Sequence, residues 1–144
     1  MNFTKIIGLL ALILIFACAT QTGLKEYQPK SNTEREIIQV VIKAEDAWEA
    51  ADSDEFIAQF CSNGQFMVAV PGGRGKKEKV SMDELSAQFN SYISVMGDSE
   101  FVNPECSISS DEAKVIGRDM NYGIKYELEM KKENGRWCIA DYSW

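Results

Sequence analysis

The sequence predicts an α+β domain, because two hydrophobic periods follow one another along the chain. Before Gly97 apolar residues recur at helical spacing in three segments, broken by one short strand and a basic loop, and after Gly97 the period switches to two. A third observation, Asn134-Gly135 between Glu133 and Arg136, marks a tight hairpin near the end. Helices first and an antiparallel meander second is the order in which helices pack on one face of a sheet.

The N-terminal residues stand apart from that domain. Lys5 precedes an uncharged apolar run, Ile6 to Ala17, whose 12 residues fall short of a bilayer core of ~30 Å and read as a secretory signal. Ile15-Phe16-Ala17-Cys18 resembles a bacterial lipoprotein lipobox, which implies cleavage after residue 17 and lipid on Cys18. The alternative is an ordinary cleaved signal with Cys18 incidental. By resemblance to lipoprotein sorting signals, Ala19 after the cysteine implies the outer membrane, facing the periplasm. Residues 18–33 are polar and lack an apolar period, so they are expected to form a tether reaching roughly 50 Å at ~3.3 Å per residue.

The domain proper is expected over residues 34–144. Thr33 and Glu36 have capping-box spacing, and Ile37, Val41, Ala44, Trp48 and Ala51 then form one face of a helix over about 34–51, with Glu45 beside that face. Asp52 and Glu55 open a short helix carrying Phe56 and Phe60, which Asn63-Gly64 ends before a strand from Gln65 to Val70. Pro71 to Lys79 reads as a Gly-rich basic loop. Ser81 and Glu84 cap a third helix with Met82, Leu85, Phe89, Ile93 and Met96 on one face, stopped by Gly97. Strands follow: Val102, Cys106 and Ile108 alternate with Phe101, Asn103, Glu105 and Ser107; then come Ala113, Val115 and Gly117, then Ile124, Tyr126, Leu128 and Met130, and a last strand from Arg136.

Composition narrows the chemistry. The 144 residues include no histidine, which excludes Ser-His and Cys-His catalysis and any imidazole pH switch. A net charge of −7 argues against nucleic acid as a partner. Gly72-Gly73-Arg74-Gly75-Lys76-Lys77 lacks the P-loop spacing and its Ser/Thr, so it reads as a solvated loop or a lid. With Cys18 assigned to lipid, Cys61, Cys106 and Cys138 have neither CxxC nor metal spacing; buried free thiols are expected, with at most one internal disulfide. No metal or cofactor is expected.

The order of elements, with the Trp48-x-x-Ala51-x-x-Asp54 stretch, the short strand after Asn63-Gly64, Asp111-x-Ala113-x-Val115 and the closing Asn134-Gly135-Arg136-Trp137-Cys138-Ile139, resembles the nuclear-transport-factor-2-like superfamily and within it the SnoaL-like group. The resemblance covers about residues 34–144. It implies a cone, three helices on a strongly curved, mainly antiparallel sheet with a pocket between sheet and first helix, and frequent dimerisation through the outer sheet face. It leaves function open, since such folds host isomerases, dehydratases, cyclases and non-catalytic binding domains. By resemblance to ketosteroid isomerases a catalytic carboxylate should fall near Val68, and Gln65 to Val70 contains none, so that mechanism is not supported.

A two-residue turn at Asn134-Gly135 sets Glu133 opposite Arg136, Met130 opposite Ile139, Leu128 opposite Asp141 and Tyr126 opposite Ser143. In that register Asp141 points into the cone and Cys138 out, with Cys106 inside. A three-residue bulged loop would instead turn Cys138, Ala140 and Tyr142 inward. The pocket is then expected to be lined by Trp48, Met67, Tyr126, Leu128, Trp137, Asp141 and Ser143. Asp119, of inward parity, is expected to cap its own turn.

Three functions compete on these residues. The first is a membrane-tethered domain binding a small, largely apolar molecule in the cone. The second is a dehydratase, cyclase or isomerase using Asp141 as acid or base with Tyr126 as donor. The third is an envelope interaction module that dimerises through an outer face carrying Cys138, Tyr142 and Trp144. Lack of histidine leaves few catalytic groups, which ranks binding above catalysis.

Overall fold

The computed structural model describes residues 21–69, 75–97 and 100–143. The signal segment, Cys18, Pro71 to Arg74 and Trp144 lie outside the described residues.

Ser31, in extended conformation, accepts the Glu34 amide and starts α1, Asn32–Glu49. The cap thus lies two residues before the expected Thr33. Glu34 turns its carboxylate back to the Lys30 amide and the Tyr27 hydroxyl, so this acid is buried yet satisfied. One face of α1 buries Ile37, Ile38, Val41, Ala44, Ala47 and Trp48. Asp52 accepts from Glu55 to open α2, Ser53–Ala58. Ser81 does the same for Glu84 at the start of α3, Met82–Met96, which Gly97 ends at φ 71°. Among the described residues no helix is long and apolar enough to cross a membrane.

The strands are β1 (Phe60–Ala69), β2 (Lys77–Val80), β3 (Phe101–Ser109), β4 (Glu112–Asp119), β5 (Lys125–Glu133) and β6 (Arg136–Ser143). They form one sheet in the order β2-β1-β6-β5-β4-β3, in which only β1 and β6 run parallel. Asn63-Gly64 lies inside β1 and does not end α2. A Cβ on Gly64 would stand 2.9 Å from the Ile139 carbonyl oxygen, so the two backbones approach more closely there than other residues allow. β2 occupies part of the stretch expected as loop.

A register shift follows Val102, with Asn103 at φ 53°; ahead of it Phe101 pairs with Asp119 and Val102 with Arg118, so Phe101 is buried on the cone side and Val102 on the other side, where Gly23 bridges it. Phe101 and Val102 keep the expected opposite senses, but the bulge puts Phe101, not Val102, on the face of Cys106 and Ile108. The Phe101 ring lies on Gly117 and stacks on Tyr126 at 5.8 Å. A Cβ at Gly117 would fall 2.0 Å from the Phe101 ring. Gly117→Ala is therefore expected to cost about 1–3 kcal/mol by overpacking, seen as a lower urea midpoint at constant m-value; an unchanged midpoint would show that the ring yields freely.

Part of the stretch expected as tether, residues 22–27, packs on the domain instead: Asn103 donates its amide to the Thr22 carbonyl at 2.7 Å, Gly23 bridges Val102, and Leu24–Glu26 forms a single 3-10 turn. Leu24 is 2% exposed and belongs to the core. Its lone apolar side chain is held by tertiary contacts, which leave no periodicity to read.

Cys61 on β1 and Cys138 on β6 form a disulfide, while Cys106 is free. The expectation of buried free thiols is thus corrected for two of the three. Parallel pairing of β1 with β6 sets Phe60 beside Ile139 and brings the next cysteine within reach of its partner.

Candidate functional site

The hairpin forms as predicted, with Asn134 at φ 51° and Gly135 at φ 78°, and the register holds through Met130 opposite Ile139. It then breaks. Ala140 has no partner on β5, and Asp141 stands opposite Glu129, Tyr142 opposite Leu128 and Ser143 opposite Glu127. The other edge of β6 is irregular at the same place, where Ile139 donates to the Gln59 carbonyl and the pairing with β1 jumps from Phe60–Ile139 to Gln65–Asp141. One extra residue turns every later side chain to the opposite face.

Asp141 and Ser143 consequently leave the expected pocket. Asp141 lies on the outer face, where partial burial and then Glu129 push its carboxyl above the usual value and Lys77 pulls it down. Ser143 accepts from Lys77 Nζ at 2.6 Å, and Met67, beside Ser143 in the β1–β6 pairing, shares that face. Leu128 is fully buried in the core without reaching the cavity. Trp137 is buried beside a separate surface groove with Arg35, Gln39, Lys43 and Arg136. Trp48 and Tyr126 do face the cone.

Tyr142 takes the place expected for Asp141. Its ring lies 5.5 Å from Phe66, 6.0 Å from Phe56 and 6.1 Å from Tyr126, and burial pushes its hydroxyl well above the usual range. With Trp48, Phe56, Phe66, Phe101 and Tyr126 it walls a cavity that Leu24, Met96 and Glu45 close. The volume is about 20 Å³, room for one water. Outside lies a depression of about 110 Å³ lined by Gly23, Leu24, Lys25, Glu26, Glu45, Glu49 and Glu100. Leu24 and Glu45 belong to both spaces and form the partition between them.

Glu45 is the acid that the cone holds. Its Oε1 accepts the Phe101 amide at 2.7 Å. Burial raises its carboxyl to about 7, Glu49 and Asp46 add to the rise, and the Phe101 amide and Lys25 oppose it. The folded chain therefore binds this proton more tightly than the unfolded chain, whose glutamate keeps the ordinary value near 4.5. The resulting stability is full below about 4.5 and is lost as pH rises through about 7. Glu45→Gln is expected to remove that slope in denaturant midpoints measured across this window; a slope left intact would assign it to another group.

Asp119, 2% exposed, accepts the Tyr122 amide, as a turn aspartate should, and also the Tyr126 hydroxyl at 3.4 Å. It thereby orients a cavity tyrosine. Sequence reasoning placed Glu45 near the correct helix face but gave it no role; its spacing of four from Val41 and three from Trp48 was the available signal. Leu24 and Phe101 left no comparable one.

The outer face differs from expectation. Tyr142 points inward, Cys138 is in the disulfide, and the exposed ladder is ionic, with Lys114–Glu127 at 2.6 Å, Lys125–Glu127 at 3.1 Å and Lys131–Glu112 at 3.8 Å. Cys61, Cys138 and Glu133 converge as metal ligands would, but the disulfide leaves no thiolate to bind.

No protein-family model matches the chain, and no curated protein sequence does. Solved structures do. An NTF-2 like protein of unknown function from Shewanella oneidensis is 23% identical, with a TM-score of 0.58 over 77% of this chain and 97% of its own. A protein of unknown function with a cystatin-like fold from Nostoc punctiforme is 17% identical, with a TM-score of 0.61 over 81% and 92%. A putative calcium/calmodulin dependent protein kinase II association domain from Xanthomonas campestris is 15% identical, with a TM-score of 0.55 over 81% and 89%. At these identities the likeness is one of architecture, and it agrees with the sheet order and helix placement above: the chain has the NTF2-like, cystatin-like cone fold.

Proposed function

We propose that this chain is a SnoaL-like envelope lipoprotein, anchored through Cys18 to the outer membrane on its periplasmic side, that binds a small, largely apolar molecule in its cone. One observation carries the binding: an aromatic chamber separated from a surface depression by little more than the side chains of Leu24 and Glu45. The ligand enters when the strap of residues 22–26, hinged at Tyr27, releases Leu24 and the two spaces join. The enzyme reading on Asp141 with Tyr126 loses its acid, since these two residues lie on opposite faces of the sheet.

Thermal shift of the full chain with a panel of compact apolar compounds tests the binding. Stabilisers are expected, since ligand at 100 times its Kd adds about 2.7 kcal/mol. If no compound moves the midpoint of either the native chain or Leu24→Ala, the cone is structural only. The anchor is tested separately by metabolic labelling with a fatty acid, which Cys18→Ala should abolish; unlabelled native protein would refute it.

A further inference from the structure

The geometry points to an organic cation as the ligand of the cone: a compact apolar body seated among Trp48, Phe101, Tyr126 and Tyr142, with an ammonium head against Glu45. This rests on the cone being a binding site and names the chemistry it selects. The strap displays that chemistry already. Leu24 puts an apolar side chain against the chamber, and the next residue, Lys25, lines the outer depression and pairs its ammonium with Asp46 at 2.7 Å on the exposed rim. Leu24-Lys25 is thus an internal pseudo-ligand, and a molecule that displaces it meets the same surfaces.

Charge agrees. Around the Glu45 carboxylate stand Asp46 and Glu49 from α1, Glu26 from the strap and Glu100 ahead of β3, with Lys25 as the only base lining the depression among the described residues. Asp46 first, then Glu49 and Glu45, hold the Lys25 ammonium above its usual value, in keeping with an acidic rim. From the sheet side Tyr126 and Tyr142 face the chamber, and aromatic faces attract an ammonium within about 6 Å. An anionic or neutral head would leave this field uncompensated.

Calorimetry on the full chain with three probes of equal length, hexylammonium, hexanol and hexanoate, tests the inference in native protein, Lys25→Ala and Leu24→Ala. Lys25→Ala touches only an exposed side chain, so it remains informative if Leu24→Ala fails to fold. Hexylammonium is expected to bind about tenfold tighter than hexanol, hexanoate not at all, and Lys25→Ala to strengthen the amine alone. Amine affinity should rise between about pH 5.5 and about pH 8 as Glu45 ionises while the amine stays charged, and Glu45→Gln should erase both the pH dependence and the preference over hexanol. Equal binding of hexanol and hexylammonium would overturn the cation while leaving a binding cone. Failure of all three probes in every variant would overturn both.

Discussion

Reduction of the Cys61–Cys138 disulfide, or the double replacement Cys61→Ser with Cys138→Ser, is expected to lower the unfolding free energy by about 4 kcal/mol. The bond closes a loop with a sequence separation of 77 residues, and the chain entropy withheld from the unfolded state by a loop of that length is worth about 4.5 kcal/mol. A domain of this size holds only about 5–15 kcal/mol in total. The cross-link is therefore a large fraction of the whole. Packing adds little to the loss, because Cys138 Sγ lies 3.4 Å from the Lys131 carbonyl, where a serine hydroxyl can donate. Guanidinium midpoints with and without reductant measure the effect, and the double serine variant should match the reduced native chain. A difference below about 1 kcal/mol would mean that the unfolded chain stays compact enough to need no cross-link. Such bonds persist in oxidising compartments, so the disulfide also supports the proposed export to the envelope.

Local chemistry was legible in the sequence, and long-range pairing was not. Ser81 and Gly97 bound α3 as read, and Asn134-Gly135 sets the first pairs of the β5–β6 hairpin, because caps and tight turns are decided by residues three or four apart. Ala140 escapes such reading. Its bulge arises where β6 follows β1 on one edge and β5 on the other, and β1 lies some eighty positions earlier in the chain. Asp141 and Tyr142 exchange faces for that reason alone, and with them the candidate acid of the cone. The same parallel pairing brings Cys61 to Cys138. Parity placed Cys138 on the outer face but could not name its neighbour. Phe101 is a smaller case of the same kind, turned by a bulge at Asn103 that strand alternation does not encode.

Leu24→Ala is expected to destabilise the chain by about 2–4 kcal/mol and at the same time to open the cone. The side chain is 2% exposed and is shared by the inner space of about 20 Å³ and the outer one of about 110 Å³, so its removal joins them into one water-accessible channel past Glu45. Hydration of that channel offsets part of the cavity cost, which favours the lower half of the range. At its far end Tyr27 stays anchored, packed on the core with its hydroxyl donated to buried Glu34, while the attachments of residues 22–26 besides Leu24 are weak or local. Lys25–Asp46 is an exposed pair worth about 0–1 kcal/mol, and the backbone bonds of Thr22 and Gly23 to β3 lie near solvent. Without Leu24 they should not hold the strap closed. Hydrogen exchange provides the site-resolved measurement: the Asn103 amide, bonded to Thr22, should lose its protection in Leu24→Ala, while the β4–β5 ladder keeps its own. A stability change within about 0.5 kcal/mol, with Asn103 still protected, would show that the strap is held by its backbone and that Leu24 does not gate the cone. Loss of protection at both places would make the strap part of the global fold. Only selective loss at Asn103 fits a strap that opens on its own, which is the motion a ligand needs to reach the aromatic chamber.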